Sequence, residues 1–411
     1  MILNIDNNFY FDLDTSILFF DKTEYAMLND TNKQHIKQSF LNKRDSIHSN
    51  NRTIKTINLI PSMHCDGKCL YCYNEDVNNT VQQDMSIVGL ERNMKEIQSR
   101  YDIDLQTIRM YGGEPLKNRD LSNIITFFHK YNNDMVFYIS SGLFIVEELY
   151  QYQLDVLTRL SKTVNISIGV GVDLGTHPET RVCKYIPKQQ LLKRCDDLIN
   201  CGLNIIFVNT VTKYTNIDNL FEEIFSLEKQ YENVSNKPKF RIAIACDDTY
   251  SPTLSQLDKM YNVLKNIYIE NNDSNITSNI YPYLDVIYAP NIYKLTDSMF
   301  YFQYEPFYCG VFSDMITILS NNELRHCHMD TTDTAIDLKE YIYKDKLLNN
   351  EECLNCNYFM ICRGGCFYRY NIMNNKLEDN KNVYCEWVKK SFHLSLYKLS
   401  NLFKKDKSLL S

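Results

Sequence analysis

Proline, glycine and tryptophan are scarce in this chain of 411 residues, numbering nine, twelve and one. Asparagine, lysine, isoleucine and tyrosine are plentiful instead, a pattern of genomic base composition that says little about function. An excess of positive charge is also lacking. The formal charge of −7 excludes a basic nucleic-acid arm as the dominant feature and is too small to assign a partner. No window reaches the roughly 18 uninterrupted apolar residues of a membrane span. The opening MILNIDNNFYFDLDTSILFF has no basic start and is interrupted by Asp6, Asp12 and Asp14. A cytoplasmic protein with neither membrane nor nucleic acid as partner is therefore expected. Hydrophobic residues at 44% and charged residues at 23% fit neither whole-chain disorder nor a fibrous design. The length leaves room for roughly two to three domain-sized units.

What the chain does have is 14 cysteines. Disulfide scaffolds are mostly short secreted domains, whereas this chain is long and shows no export signal, so reduced thiolates holding metal are expected. Residues 1 to about 54 read as a short N-terminal unit with strand-like runs at Phe9–Leu13 and Ile17–Phe20 and a helical stretch to about Asn42. From Ile54 an apolar strand, a cysteine loop and a helix open an alternation of about six strand–helix units that ends near Ala245. Such alternation predicts a parallel sheet with crossover helices, and six units rather than eight predict an open, partial barrel. A polar stretch over 270–279 follows, and beyond it cysteines recur from Cys309 to Cys385 before an amphipathic helix over Glu386–Phe403. The expected division is 1–54, a barrel core over 55–280, and a bridging, cysteine-rich and helical region over 281–411.

The first chemical signal is Cys65-x3-Cys69-x2-Cys72, directly after an apolar strand and followed by Tyr73. Three thiolates this close can hold three irons of a cubane cluster and leave the fourth iron open. A structural zinc site completed by His64 is the alternative, although zinc normally takes four protein ligands. At the end of the next strand comes Tyr111-Gly112-Gly113-Glu114-Pro115, whose glycines let the backbone approach a ligand and whose carboxylate can pair with an ammonium group.

Together these two motifs resemble the radical S-adenosylmethionine (SAM) enzymes. The resemblance covers about residues 54–390 and implies an α/β fold, a partial (β/α)6 TIM-like barrel. It also implies that the open iron chelates the amine and carboxylate of SAM, with Gly112, Gly113, Glu114 and Pro115 at the amine. Reductive cleavage of SAM then yields a 5'-deoxyadenosyl radical that removes a hydrogen from an unactivated carbon. Further likenesses follow in chain order. Ser140-Ser141-Gly142 falls at the third strand end, Ser167 and Arg181 resemble a pair holding the SAM carboxylate, and Asn209-Thr210 resembles the segment lying against the adenine. The bland reading of Asn209 is a buried, satisfied strand asparagine. The chain departs from the common Ser-x-Asp-Gly-Pro pattern at Ser167-Ile-Gly-Val-Gly-Val-Asp173, which leaves Asp173 as either a general base or a carboxylate capping a turn.

The second signal is Cys353-x2-Cys356-x5-Cys362-x3-Cys366-x18-Cys385, preceded by Cys309 and Cys327. These seven thiolates exceed one tetrahedral site and imply at least two centres. The spacing resembles the SPASM extension of radical SAM peptide-modifying enzymes, with Asn322 standing where that pattern has a glycine; asparagine tolerates the left-handed backbone such a turn needs. By that resemblance Cys353, Cys356, Cys362 and Cys385 hold one auxiliary 4Fe-4S cluster. Cys309, Cys327 and Cys366 hold another, completed by Asp314, His326 or His328 or left open to substrate. A pair of zinc sites in a binding module is the alternative for the block. Cys183, Cys195, Cys201 and Cys246 fall outside both patterns and read as buried small hydrophobes, with Cys183 near the proposed pocket.

The resemblance implies SAM and three 4Fe-4S clusters as cofactors and a reductant such as flavodoxin or ferredoxin. It implies a ribosomally made precursor peptide as substrate, with a thioether or carbon–carbon crosslink installed. An anaerobic sulfatase-maturating activity and a zinc-stabilised, non-catalytic binding protein are the alternatives. Residues 1–54 are expected to be a reduced leader-recognition unit or barrel capping, and an extended peptide would add to a strand edge such as Phe9–Leu13.

Overall fold

The computed structural model describes residues 1–6, 9–20, 22–26, 34–36, 38–39, 42, 52–74, 83–183, 186–245, 249–270, 280–282, 291–294, 299–303, 314–325, 327–329, 351–363, 365–366 and 377–405. Its centre is the expected alternation. Strands β4 (Thr53–Ser62), β6 (Asp102–Gly112), β7 (Val136–Ser141), β8 (Asn165–Gly171), β10 (Asn204–Val211) and β11 (Lys239–Ile244) are parallel neighbours in that order. Between them run α2 (Ile87–Arg100), α3 (Leu121–His129), α4 (Glu147–Leu160), α5 (Lys188–Asn200) and α6 (Ile217–Gln230), and α7 (Leu254–Glu270) follows β11. Burial alternates along β7, β10 and β11. On β10, Ile205, Phe207, Asn209 and Val211 are buried while Ile206, Val208 and Thr210 on the opposite face are half-buried. Side chains cap α2 and α6. The Ser86 hydroxyl accepts the Gly89 N–H, and Asn216 Oδ1 accepts the N–H groups of Asp218 and Asn219.

The sheet extends past six strands at both edges. β12 (Ile280–Pro282) adds parallel to β11, and β15 (Met315–Ile318), with antiparallel β16 (Leu324–Arg325) outside it, adds parallel to β4. Both additions come from beyond residue 279, so the barrel sheet runs across the position where composition changes. The β15–β16 turn passes through Asn322, whose φ of +66° is the left-handed conformation a glycine would take without strain.

The N-terminal strands do not stand alone. β1 (Ile2–Asp6), β2 (Phe9–Asp12) and β3 (Ile17–Phe19) continue into β14 (Met299–Gln303) and β13 (Asn291–Lys294) as one antiparallel sheet. Ile5, Phe9, Phe11, Leu13 and Leu18 share a core with Tyr358–Ile361 and with Val388, Phe392 and Leu396 of the C-terminal helix α10 (Leu377–Lys405). The expectation of a free edge at Phe9–Leu13 is corrected here. β2 is paired on both sides and buried throughout, leaving β1 and β13 as the edges.

Asn322 also explains a glycine at the start of α2. A Cβ on Gly89 would come 2.0 Å from Asn322 Oδ1 and 2.3 Å from its Cγ. Gly89→Ala is expected to destabilise by about 1–3 kcal/mol through overpacking. In an Asn322→Gly background the same change should be neutral or stabilising by up to about 1 kcal/mol, because only helix propensity remains. Thermal unfolding midpoints of the four proteins in this cycle check the coupling.

Candidate active site and cysteine groups

The C-terminal ends of β4, β6, β7 and β8 meet at a point where backbone lies against backbone. Gly112 has φ +125°, and a Cβ there would come 2.7 Å from Ser62 O. A Cβ on Gly113 would sit 2.3 Å from Met63 O and 2.7 Å from His64 O, in the two residues that lead into Cys65. The glycine pair therefore fixes how close the cysteine loop lies to the end of β6.

Glu114 locks this arrangement. Its side chain is fully buried, and its Oε1 accepts from Ser141 Oγ at 2.6 Å and Leu116 N at 3.2 Å while Oε2 accepts from Gly142 N at 2.9 Å and Phe144 N at 3.2 Å. Burial pushes this carboxyl up, and the Ser141 hydroxyl and the three amides pull it back. The sequence reading gave the Glu114 carboxylate to a ligand's ammonium group. In the structure the chain itself supplies a donor pair to each oxygen, and Glu114 binds the end of β6 to the end of β7. Pro115 opens the buried short turn that follows, and Ser141 Oγ also accepts the Leu143 N–H at 2.8 Å.

The cysteine triplet surrounds a short two-stranded ladder that contains Cys69. β5 (Gly67–Cys69) pairs antiparallel with β9 (Arg181–Cys183), so a segment beyond β8 holds the loop in place. Cys65, Cys69 and Cys72 lie within electrostatic reach of one another. Burial and then the Glu114 charge push the Cys65 thiol up to about 12, while burial, against the pull of Arg181, pushes Cys69 up to about 11. Such thiols are poor free nucleophiles, and coordination to a metal is what deprotonates them. The Gly67 N–H donates to Cys65 Sγ at 3.3 Å. This donor set fits an iron–sulfur cluster. Among the described residues no three His, Cys, Asp or Glu side chains form a group able to hold a metal ion. A cubane attaches its thiolates to separate irons and so suits thiols grouped more loosely.

Arg181 reaches from β9 into the barrel mouth. Its guanidinium lies over the ends of two strands, where a Cβ would come 2.4 Å from Nη2 at Gly171 and 3.0 Å at Gly142, and over the Phe144 ring at 5.0 Å. Nη1 donates to Tyr71 Oη at 3.1 Å, Tyr71 donates to Asp173, and Arg181 and Asp173 form an ion pair at 3.6 Å. Burial works against the Arg181 charge, but Cys69, Tyr71 and Asp173 outweigh it and hold the guanidinium firmly protonated. Asp173 has φ +44°, is 5% exposed and also accepts the Thr210 N–H at 2.9 Å. Its carboxylate is thus engaged as a cap on the turn after β8, the second of its two sequence readings.

Two expected neighbours do not meet. Ser167 lies near the start of β8, beside Tyr138 and Asn204, four residues before Gly171 and so about 13 Å back along the strand from the Arg181 guanidinium. The expected Ser167–Arg181 pair is therefore not formed, because glycines occupy the strand end where the family pattern has its serine. Asn209 points away from the barrel interior, 1% exposed, with Oδ1 accepting the Leu174 N–H at 3.1 Å. Of the pair expected at the adenine, only Thr210 faces inward. Sequence reasoning missed Tyr71, Phe144 and Asn74, whose Nδ2 donates to Gly112 O at 3.1 Å. Their position inside or just after the motifs was the available signal.

The second group also assembles. α8 (Glu351–Leu354), α9 (Phe359–Cys362), the turn between them and α10 bring Cys353, Cys356, Cys362 and Cys385 into mutual reach. Burial, then Cys385 and Cys356, push Cys353 up to about 11, and burial with Cys385 and Cys353 pushes Cys362 higher still. Cys353 and Cys362 lie against the core shared with the N-terminal sheet. Cys327 is buried elsewhere, and its Sγ accepts the Met329 N–H at 3.4 Å. It lies close to Tyr73, whose ring is 38% exposed but whose hydroxyl is enclosed and pushed up by burial, Cys72, Tyr111 and Cys327. The His328 ring stacks on Tyr111 at 4.1 Å, and burial with Arg109 lowers it to about 3, so it is neutral. Cys366 is half-buried, and Cys309, Cys246 and His326 lie outside the described residues.

Replacing Gly113 tests the joint between glycines and cysteine loop. Gly113→Ala is expected to push the Met63–His64 backbone away and lower reconstituted iron by about the four atoms of one cubane. Iron and sulfide analysis against wild type reads it. Glu114→Gln places an amide donor against buried donors and should lower stability by about 2–4 kcal/mol, seen as a lower thermal midpoint.

Comparisons place these features among known proteins. Residues 59–182 match the model of a 4Fe-4S single cluster domain. GTP 3',8-cyclase of Helicobacter pylori is 25% identical over 179 residues, 43% of this chain and 53% of that protein, and that of Campylobacter jejuni subsp. doylei is 24% identical over 170 residues, 41% and 51%. The chain thus spans about half the length of the curated relatives it matches. Among solved structures, Streptococcus suis SuiB bound to precursor peptide SuiA superposes with a TM-score of 0.56 at 17% identity, covering 85% of this chain and 79% of that one. The enzyme anSMEcpe with bound AdoMet and the Cp18Cys peptide gives 0.56 at 16%, covering 86% and 99%. Among the described residues no helix is long and apolar enough to cross a membrane. A cluster domain is thus matched across the first cysteine loop, and the barrel around it has the fold of SuiB and anSMEcpe.

Proposed function

We propose that this enzyme modifies a ribosomally made precursor peptide, installing a thioether or carbon–carbon crosslink, and carries auxiliary 4Fe-4S clusters in a SPASM region. The observation that supports this most is the second cysteine group. Four thiols, from three helices and the turn between two of them, converge against the core that joins the N-terminal sheet to α10, an arrangement a barrel core alone does not need. SuiB, in the complex named above, binds a precursor peptide, and its likeness spans most of this chain.

Cys65, Cys69 and Cys72 would hold the SAM cluster. When bound, cluster and SAM supply a carbon-centred radical able to abstract hydrogen from an unactivated position. The chain's own residues orient and shield. Arg181, kept cationic by its neighbours, is placed to bind a carboxylate at the ends of β7 and β8, where glycines leave room. Phe144 packs its ring edge over Gly67 of the cysteine loop and under Arg181. Tyr71 and Asp173 hold Arg181 in place rather than moving protons. Cys353, Cys356, Cys362 and Cys385 would hold an auxiliary cluster. A second one at Cys309, Cys327 and Cys366 is part of the proposal, with a flavodoxin or ferredoxin as electron donor.

A sulfatase-maturating activity is the second reading, favoured by the 99% coverage of anSMEcpe. Against a shared mechanism stands Asp173, whose carboxylate is engaged by Thr210, Tyr71 and Arg181.

Anaerobic reconstitution tests the cofactor content. About twelve irons and as many sulfides per chain are expected, falling by about four when Cys353, Cys356, Cys362 and Cys385 are all changed to alanine. Two to three zincs with little iron, roughly what tetrahedral sites would hold, would overturn the reading. Incubation with SAM, reductant and a candidate precursor encoded beside this gene should lower the peptide mass by about 2 Da per crosslink, the two hydrogens lost as each bond closes.

A further inference from the structure

One thiol beside the first cysteine loop has no role in the site as described. Cys183 ends β9 directly opposite Gly67, and Arg181 stands opposite Cys69. Partners across an antiparallel ladder project to the same face, and side chains alternate along each strand. Gly67, Cys69, Arg181 and Cys183 therefore share one face, while Lys68 and Val182 take the other, exposed one. Arg181 shows where the shared face points, because its guanidinium reaches Gly171, Gly142 and Phe144 in the barrel mouth. Cys183 is half-buried on that face and packs against the main core.

Two further relations locate the thiol. A Cβ on Gly67 would stand 3.4 Å from Cys65 Sγ. The Cβ of the residue opposite, Cys183, lies about 5 Å from that position. Cys183 also adds to the charges that raise the Cys69 thiol. Cys183 thus stands on the inner face of the ladder, which it shares with Cys69 and on which Cys65 Sγ lies close to Gly67.

We infer that Cys183 is a fourth thiolate for the cluster of Cys65, Cys69 and Cys72, covering the open iron until SAM displaces it. The inference rests on the assignment of that triplet to a cluster. Displacement is a ligand exchange: the iron–sulfur bond to Cys183 breaks, bonds from iron to the SAM amine and carboxylate form, and the released thiolate takes a proton from solvent. No electron is transferred.

An iron without a protein ligand is lost on mild ferricyanide oxidation, leaving a 3Fe-4S cluster visible by electron paramagnetic resonance. In the reconstituted full-length enzyme without SAM, Cys183→Ala should give several times the 3Fe-4S signal of wild type, and adding SAM should bring the two to the same level. Equal signals without SAM would overturn the inference. A variant with Cys65, Cys69 and Cys72 all changed to alanine sets the background from other clusters. If its iron content equals wild type, the triplet assignment is what fails. Should Cys183→Ala not load iron, labelling of the wild-type holoenzyme with N-ethylmaleimide decides by peptide mass spectrometry. Labelling of Cys183 is expected to rise several-fold when SAM is added, and unchanged or reduced labelling would overturn the inference.

Discussion

The geometry of the barrel mouth depends on one buried carboxylate. An ion like Glu114, wholly removed from water, is costly unless its lone pairs are occupied, and here one hydroxyl and three amides occupy them. Those donors come from two strand ends and the loops after them, so satisfying the charge also sets the spacing of β6 and β7. The same constraint runs outward. With β6 held, the glycines at 112 and 113 bring β4 within backbone contact, and β4 delivers Cys65. An acid that the motif offers as a ligand thereby does its work as a brace, and backbone rather than side chain is what the Gly-Gly segment presents.

A second constraint links the two ends of the chain. A five-stranded sheet built from residues before the barrel and residues after it closes over the helices that carry Cys353 and Cys362. Each part contributes one face of that core. The described N-terminal strands therefore cover the helices that carry Cys353 and Cys362. β15 leads from the barrel edge to Cys327, which ends beside Tyr73 of the first loop.

Much of this was legible in the sequence, for identifiable reasons. The strand–helix alternation follows from apolar periodicity, and the six core strands fall in the stretch from about Ile54 to Ala245 that the periodicity marks. The left-handed turn at Asn322 could be read from the tolerance of asparagine for positive φ. Pairing between distant segments could not. β15, β14 and β13 are short, carry no long-range signal, and acquire their partners only because β4 and β3 leave edges to fill. The edge assigned to Phe9–Leu13 failed for the same reason: a strand's pattern of buried residues does not reveal how many neighbours it has.

Ser167 shows how a motif can be matched in sequence and lost in space. A strand rises about 3.3 Å per residue, so a slip of a few positions moves a side chain from the mouth of the barrel into its interior. Here Gly169 and Gly171 occupy the outer positions of β8, and large side chains from elsewhere fill the room: the Tyr138 hydroxyl lies over Gly169, and the Arg181 guanidinium over Gly171. The departure from the family pattern is thus compensated within the same layer. An arginine carried on the strand that pairs with β5 takes the place at the strand end, so the charge at the barrel mouth and the position of the cysteine loop are set by one segment, Arg181–Cys183.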